Sequence, residues 1–574
     1  MAKELFANTK NKIVPFDQDG EFFYRRAKKF EEHNDYIEAL NYYRKAVEKD
    51  PDNIEYMLNL AETFTEMNCF HESNRILFSM IHSEEVVPDC YFGLGCNFLG
   101  LQDFDRAKES FEKYLEVDEF GMYAHDAFDL IHILENQNIF VMPSHDLHED
   151  DEEIYELANN GRMLIDRGEY KEGIKQLEKV LTKNPKVTFA KNNLALAYFC
   201  NGEIEKAIDT SKEILRVEPR NIHAICNLTI FLYETGEKQK AREYVKTLTN
   251  ITPTDGEDIH KIASTLCELK KHSDAYRYLK MLLQYKPYEI KVLHYTAVAA
   301  FNLQKFNEAL IYWDKIEKIA PNNTISSFYR RYVIDIIKGA VEWREISYNY
   351  QVTYEEMINR IKKINKYMNM PKAEFKRQWE VGSTLYTLLS WGVTLNDNGI
   401  KKSILLTVGR LGDKAAEKFL KDFLLRENET EGLKRDALAI LKHINASEPY
   451  IAYINDKLVE VRVNIEEVDE KSIPKKYRNV FKFTVDSMDK RYEEGYREYI
   501  QAIWYGYITT LDPEDLPRIQ KVETWAATLE YYYCRIHDID ITKKEVASHY
   551  AISTSSIDYN LKRLKKATDR KMYL

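Results

Sequence analysis

The sequence predicts an all-α protein made of helical pairs stacked into a solenoid, and three observations predict it. Pro185, Pro219, Pro253, Pro287 and Pro321 recur every 34 residues, a period that marks a repeat architecture. Small residues run in phase with them: Ala207, Ala241, Ala275 and Ala309, with Gly173 one period earlier, while Leu177, Val245, Leu279 and Trp313 stand four residues beyond such positions. The chain holds only 20 glycines and 14 prolines in 574 residues, roughly half the usual share, which disfavours a turn-rich all-β fold.

Each period reads as two helices. The small residue admits the partner helix, the larger apolar residue one turn later fills the gap, and proline ends the pair because it cannot continue a helix. Gly161, Ala195, Ala263 and Ala297 mark the facing small site on the first helix. Residues 1–19 form an N-terminal tail without the apolar stretch of a signal sequence. From there the template fits Ala27, Ala39, Tyr43, Ala46 and Pro51, more weakly Leu60, Ala61 and Phe64, and then Leu94, Gly95, Phe98, Ala107 and Phe111.

These residues and this spacing resemble the tetratricopeptide repeat (TPR), a family of helix-turn-helix solenoids that bind peptides or proteins. The resemblance implies a right-handed superhelix of about eight repeats, with a first block at 20–121 and a second at 154–339 whose capping helix covers Phe328 to Ile337. The family's first-helix tryptophan is missing, and Tyr91, Leu157, Ile225 or Leu293 fills that site. Between the blocks, 122–153 begins like another first helix with Tyr123, Ala127 and Leu130. It then passes Pro143 into His148-Glu149-Asp150-Asp151-Glu152-Glu153. This is a degenerate repeat whose acidic run reads as a solvated hinge.

The pattern changes in 340–470. After Trp343 and a helix near 353–368, Ser403 to Asp413 leads into Ala415 to Leu425, and Leu433 to Leu441 repeats the first half. This spacing resembles HEAT repeats, another helical-pair solenoid. Val459 to Val463 alternates like a short strand, or serves as a connector. In 471–574 the aromatic runs Tyr492–Tyr507 and Val522–Ile536 read as core. Thr542-Lys543-Lys544-Glu545 is a capping box that opens a helix, and a second helix carries Ile557, Leu561 and Leu564. The spacing of Ala547, Ala551, Ile552 and Ile557 makes 542–566 resemble the DNA-binding helix-turn-helix, with Ala551 standing where that family generally has glycine.

Charge and cysteine content narrow the partners. With Lys+Arg 82 against Asp+Glu 93 the net charge is −11, which argues against chain-wide affinity for nucleic acid or acidic membrane. Seven cysteines without a CxxC pair give no disulfide framework and no zinc site, and no apolar run is long enough to span a membrane. The expectation is a soluble cytoplasmic protein with no cofactor and no metal. No phosphate loop, nucleophile elbow or HExxH is present, so no enzyme activity is expected.

The binding site is expected on the concave face, into which positions two, five, six, nine, twelve and thirteen of each first helix point. Asn59, Asn159, Asn193 and Asn227 hold the sixth position. A primary amide both donates and accepts, so a ladder of them can pair with the backbone of an extended peptide at about every third residue. Similar ladders in TPR proteins grip peptide backbones, and the resemblance carries that role to Asn159, Asn193 and Asn227. Leu196, Ile230 and Val298 at the ninth position, with Phe199, Tyr233 and Phe301 at the twelfth, are expected to add apolar pockets. The function so implied is a non-enzymatic adaptor or scaffold for a peptide or protein. The alternative is a transcription regulator in which the repeats sense a ligand or partner. In it the helix 554–566 places Ser555, Ser556, Tyr559 and Asn560 against bases and Lys562, Arg563, Lys565 and Lys566 near phosphates.

Overall fold

A computed structural model describes residues 18–81, 87–135, 149–166, 168–253, 255–321, 323–381, 383–426, 429–454, 457–461, 473–489, 491–492, 496–511, 516–536, 539 and 541–568. It divides into two compact units, Met1–Tyr354 and Glu355–Leu574.

The first unit is a run of antiparallel helix pairs. Three come first: α1 (Gly20–Glu31) with α2 (Tyr36–Lys49), α3 (Ile54–Glu66) with α4 (Phe70–Ile81), and α5 (Asp89–Gly100) with α6 (Phe104–Val117). The helix α7 (Ala124–Glu135) packs on α6. Five pairs follow: α8 (Glu149–Asp166) with α9 (Tyr170–Lys183), α10 (Thr188–Cys200) with α11 (Ile204–Val217), α12 (Ile222–Glu234) with α13 (Lys238–Asn250), α14 (Gly256–Glu268) with α15 (His272–Tyr285), and α16 (Ile290–Asn302) with α17 (Phe306–Ile319). The cap is α18 (Thr324–Ile337). The first and last pairs touch, α2 lying against α17.

The pairs share one turn. Asn34, Asn68, Gln102, Gly168, Gly202, Gly236, Lys270 and Gln304 each take a left-handed conformation, with φ from 54° to 84°, between the two helices of a pair. Close packing relies on the small residues: a Cβ added at Gly95 would fall 2.4 Å from the Phe111 ring.

Two expectations change. The acidic residues Glu149 to Glu153 open α8 instead of forming a loop, in keeping with the preference of carboxylates for a helix N-terminus. The segment after Gly339 does not start a new domain; it packs back onto the first unit, whose boundary falls at Tyr354. Residues 1–17 of the tail, and Pro143 and His148 of the hinge, lie outside the described residues.

The second unit joins what the sequence divided at 470. It contains α19 (Tyr354–Met368), α20 (Lys372–Val381), α21 (Ser383–Gly392), α22 (Asn398–Gly409), α23 (Lys414–Leu424) and α24 (Glu431–His443). A hairpin of β1 (Tyr450–Ile454) and β2 (Lys457–Val461) is antiparallel, with Ala452 opposite Val459. Then come α25 (Lys475–Met488), α26 (Tyr496–Thr510), α27 (Val522–Ile536), α28 (Lys543–His549) and α29 (Thr554–Thr568). The aromatic runs form its core: Trp504 is wholly buried, its indole donating to the Tyr477 carbonyl at 2.8 Å. The capping box at Thr542 and Glu545 is formed. Among the described residues no helix is long and apolar enough to cross a membrane.

Candidate functional site

On the first helices of the pairs, where the binding face is expected, the sixth positions do not lie at one depth. Asn159 is exposed and Asn193 half-buried. Asn227 is buried and donates an amide N–H to the Asn192 carbonyl of the preceding pair at 3.1 Å. Asn59 is buried too, and donates to the Glu55 carbonyl of its own helix at 2.7 Å. Asn227 thus ties α12 to α10, while Asn59 is engaged within its own helix. Beyond them the sixth position changes character to Lys261, Tyr295 and Tyr329.

The apolar positions divide likewise. Leu196, Phe199 and Ile230 are half-buried over one core cluster, with Phe199 stacked on Phe231 at 4.4 Å between ring centres. Tyr233 is exposed, and the Lys238 ammonium stands over its ring. Val298 and Phe301 are completely buried, so neither forms an open pocket.

Around Lys261 the groove turns polar. His223 Nε2 lies 4.0 Å from Asp258 Oδ1. Burial holds the Lys261 ammonium below its ordinary range, and burial, then Lys261 itself, lowers His223. Burial and the neighbouring Asp255 push Asp258 up to about 6.

Further along, the segment 341–352, which has no helix or strand of its own, lies against α16 and α18. Asn302, at a thirteenth position, pairs with one residue through both ends of its amide: Nδ2 donates to the Ile346 carbonyl at 2.9 Å, and Oδ1 accepts from the Ile346 N–H at 2.9 Å. His294 Nε2 meets the Asn349 carbonyl at 3.2 Å. Its Nδ1 accepts from the Trp313 indole at 3.2 Å; because indole can only donate, the imidazole proton sits on Nε2 and is donated to Asn349. Tyr329 donates to the Gln351 carbonyl at 2.9 Å, and the Trp343 indole to the Phe301 carbonyl at 3.3 Å. Side chains complete the contact. Tyr348 meets His272 Nδ1 at 2.9 Å, Glu345 pairs with Lys270 at 3.0 Å, and the Asn323 amide donates to the Tyr350 hydroxyl. Asn302, His294 and this segment were missed in the sequence. Their available signal was the alternation Ile346-Ser347-Tyr348-Asn349-Tyr350, which has a strand's period rather than a helix's.

In the second unit, α28 and α29 are joined through Ala551, which has φ +50°. Ser555, Tyr559 and Lys562 are exposed on α29, while Ser556 is half-buried against Ser553. Arg563 is half-buried and stands over the Tyr559 ring. Asn560 is buried and does not face outward, because it shares the inner face of α29 with Ile557 and Leu564. Asp558 is paired with Lys543. The side chains of Lys565 and Lys566 lie outside the described residues.

Two family models described as tetratricopeptide repeat match residues 20–53 and 88–120. A TPR repeat-containing protein of Bacillus subtilis (strain 168), YvcD, is 29% identical over 191 residues, which is 33% of this chain and 39% of that protein. The chain thus aligns with less than half of that relative's length. Among solved structures, the TPR domain of P58(IPK) matches at 15% identity, covering 56% of this chain and 99% of the other, with TM-score 0.23. A thermophilic TPR protein of Thermus thermophilus matches at 18% identity over 32% of this chain and 98% of the other, with TM-score 0.26. The family models place tetratricopeptide repeats at 20–53 and 88–120, and helix pairs of the same kind recur along the rest of the first unit.

Proposed function

We propose that the protein is a non-enzymatic adaptor that binds an extended peptide, or an extended segment of a protein, along the concave face of α8, α10, α12 and α14. The observation that carries this reading is the Asn302 amide, which holds the N–H and C=O of Ile346 at 2.9 Å each. The groove thus has a built example of side-chain amide pairing with extended backbone. Asn159 and Asn193 offer the same group three and two pairs upstream of Lys261, where Leu196, Phe199, Ile230 and Tyr233 supply apolar surface. Asn227 contributes from below by fixing α12 to α10. The test is selection of peptides from a random display library on the full chain, followed by affinity measurement on Asn159→Ala with Asn193→Ala. A loss of tenfold or more is expected, and unchanged affinity removes the reading.

A second reading, a transcription regulator with DNA on α29, is favoured by the left-handed Ala551 turn and the exposed Ser555, Tyr559 and Lys562. Its test is duplex binding by the full chain across a salt series. A phosphate-contacting Lys562 predicts that Lys562→Ala lowers the salt slope by about one, and an absence of duplex binding at low salt discards it.

A further inference from the structure

We propose that residues 343–351 are a displaceable internal ligand of the groove over α14, α16 and α18, and that the external partner of this stretch is an extended peptide of the same chemistry. That chemistry is an indole, an aliphatic side chain three residues on, and hydroxyphenyl side chains two and four residues after that. The inference rests on the reading of the concave face as a peptide groove.

The segment behaves as a ligand in three respects. It has no helix or strand of its own, and its burial alternates: Ile346 and Val352 are buried and Tyr348 and Tyr350 half-buried, whereas Ser347 and Asn349 are exposed. It is laid on the groove with one face outward, not threaded through a core. The groove recognises it largely through main-chain atoms, at Ile346, Asn349 and Gln351. Main-chain pairing of this kind is indifferent to sequence, so another chain in the same conformation satisfies the same donors and acceptors. Specificity then falls to the pockets that hold Ile346 and Tyr348, the latter between His272 and Tyr295.

A tethered copy has an effective concentration on the order of millimolar, so an outside peptide of equal affinity is held off until the internal copy is weakened. The same residues carry the chain from α18 into α19.

The experiment uses the full chain and one probe, a fluorescein-labelled synthetic peptide of residues 341–352. Its internal counterpart is disabled by Ile346→Asp with Tyr348→Ala. The disabled chain is expected to bind the probe at least tenfold more tightly than the unaltered chain, and adding Asn302→Ala is expected to abolish the gain. A disabled chain that keeps its helical signal and cooperative melt yet binds no better overturns the proposal. Hydrogen exchange on the unaltered chain reads the same property without substitution: the Ile346 amide is expected to exchange at least a hundredfold faster than Ala297 or Val298 in α16. Equal rates make the segment a fixed wall and overturn the proposal, and this measurement decides alone should the disabled chain lose its melt. The probe reports on the Asn302 stretch only, so failure here and failure of binding at Asn159 and Asn193 are separate results.

Discussion

The Arg44 guanidinium caps the C-terminus of α17, with Nη2 2.5 Å from the Ile319 carbonyl and Nη1 2.6 Å from that of Lys318. The last carbonyls of a helix lack partners within it and carry partial negative charge, so a forked cation suits them. Arg44 stands in the second helix of the first pair, and the contact joins the two ends of the first unit. Burial depresses its pKa to about 10.

Arg44→Ala is expected to cost about 1.5–3 kcal/mol, the range for hydrogen bonds to a charged group, and to raise hydrogen exchange in both α2 and α17. Arg44→Lys is expected to recover only part, because an ammonium lacks the planar fork. The neighbouring pair of Glu38 and Lys318, 2.6 Å apart but solvent-facing, is worth under about 1 kcal/mol. Glu38→Ala is therefore the contrasting variant. Equal thermal shifts for Arg44→Ala and Glu38→Ala would contradict this account.

Gly202 has φ +83°, and nothing lies within 4 Å of a Cβ built on it. The cost of Gly202→Ala is therefore backbone strain alone, about 1 kcal/mol, read as a lowered melting temperature without change in helix content. Gln304 holds the equivalent turn at φ +59°, and Gln304→Gly relieves that strain while adding unfolded-chain entropy of similar size, so it is expected to be nearly neutral.

The repeats were legible because the contact inside a helix pair is local and recurs: Ala309 and Trp313 sit one turn apart in every reading of the sequence. The segment 343–351 was not, since Ile346 and its partner Asn302 are 44 residues apart and no period links them. Depth in the groove was equally hidden. Helical phase puts Asn227 on the same face as Asn193, but only the neighbouring helix α10, which supplies the Asn192 carbonyl, determines that Asn227 is closed over. Asn560 was a legible miss: Ile557, Asn560 and Leu564 fall three and four residues apart, the spacing of a single inward helix face.

His294 makes the first unit sensitive to acid. Its imidazole is wholly buried and surrounded by Trp313, Tyr295, Tyr329 and Tyr350, and burial lowers its pKa to about 4. An exposed imidazole in the unfolded chain takes its proton near pH 6.5. Between those values the unfolded state holds more protons, so stability falls as pH drops from about 6.5 to 4. Protonation would also set an Nδ1–H against the Trp313 N–H. The contribution is on the order of 3 kcal/mol by pH 4. Denaturant unfolding monitored in α16 at pH 7 and pH 5 should show a larger loss for the unaltered chain than for His294→Gln, and equal losses would remove His294 as the cause.

Glu530 ties α28 to the core of the second unit. Its carboxylate is wholly buried and accepts from Arg491 Nη1 and Nη2 at 2.7 Å each, from the Tyr492 hydroxyl at 2.7 Å and from the Tyr550 hydroxyl at 2.5 Å. Four donors on one anion suit a full negative charge, and Glu530→Gln replaces one acceptor oxygen with a donor facing donors. The expected cost is about 3 kcal/mol, the lower end for breaking a buried pair, because Arg491 is itself partly solvated. Tyr550→Phe removes one donor and leaves three, so about 1–2 kcal/mol is expected. The two variants should share a signature a general loss of stability would not give: faster hydrogen exchange in 543–550 than in α25. If α28 keeps its protection in Glu530→Gln, the helix is held by Val546 and Ala547 packing alone, and the buried network has no part in docking it.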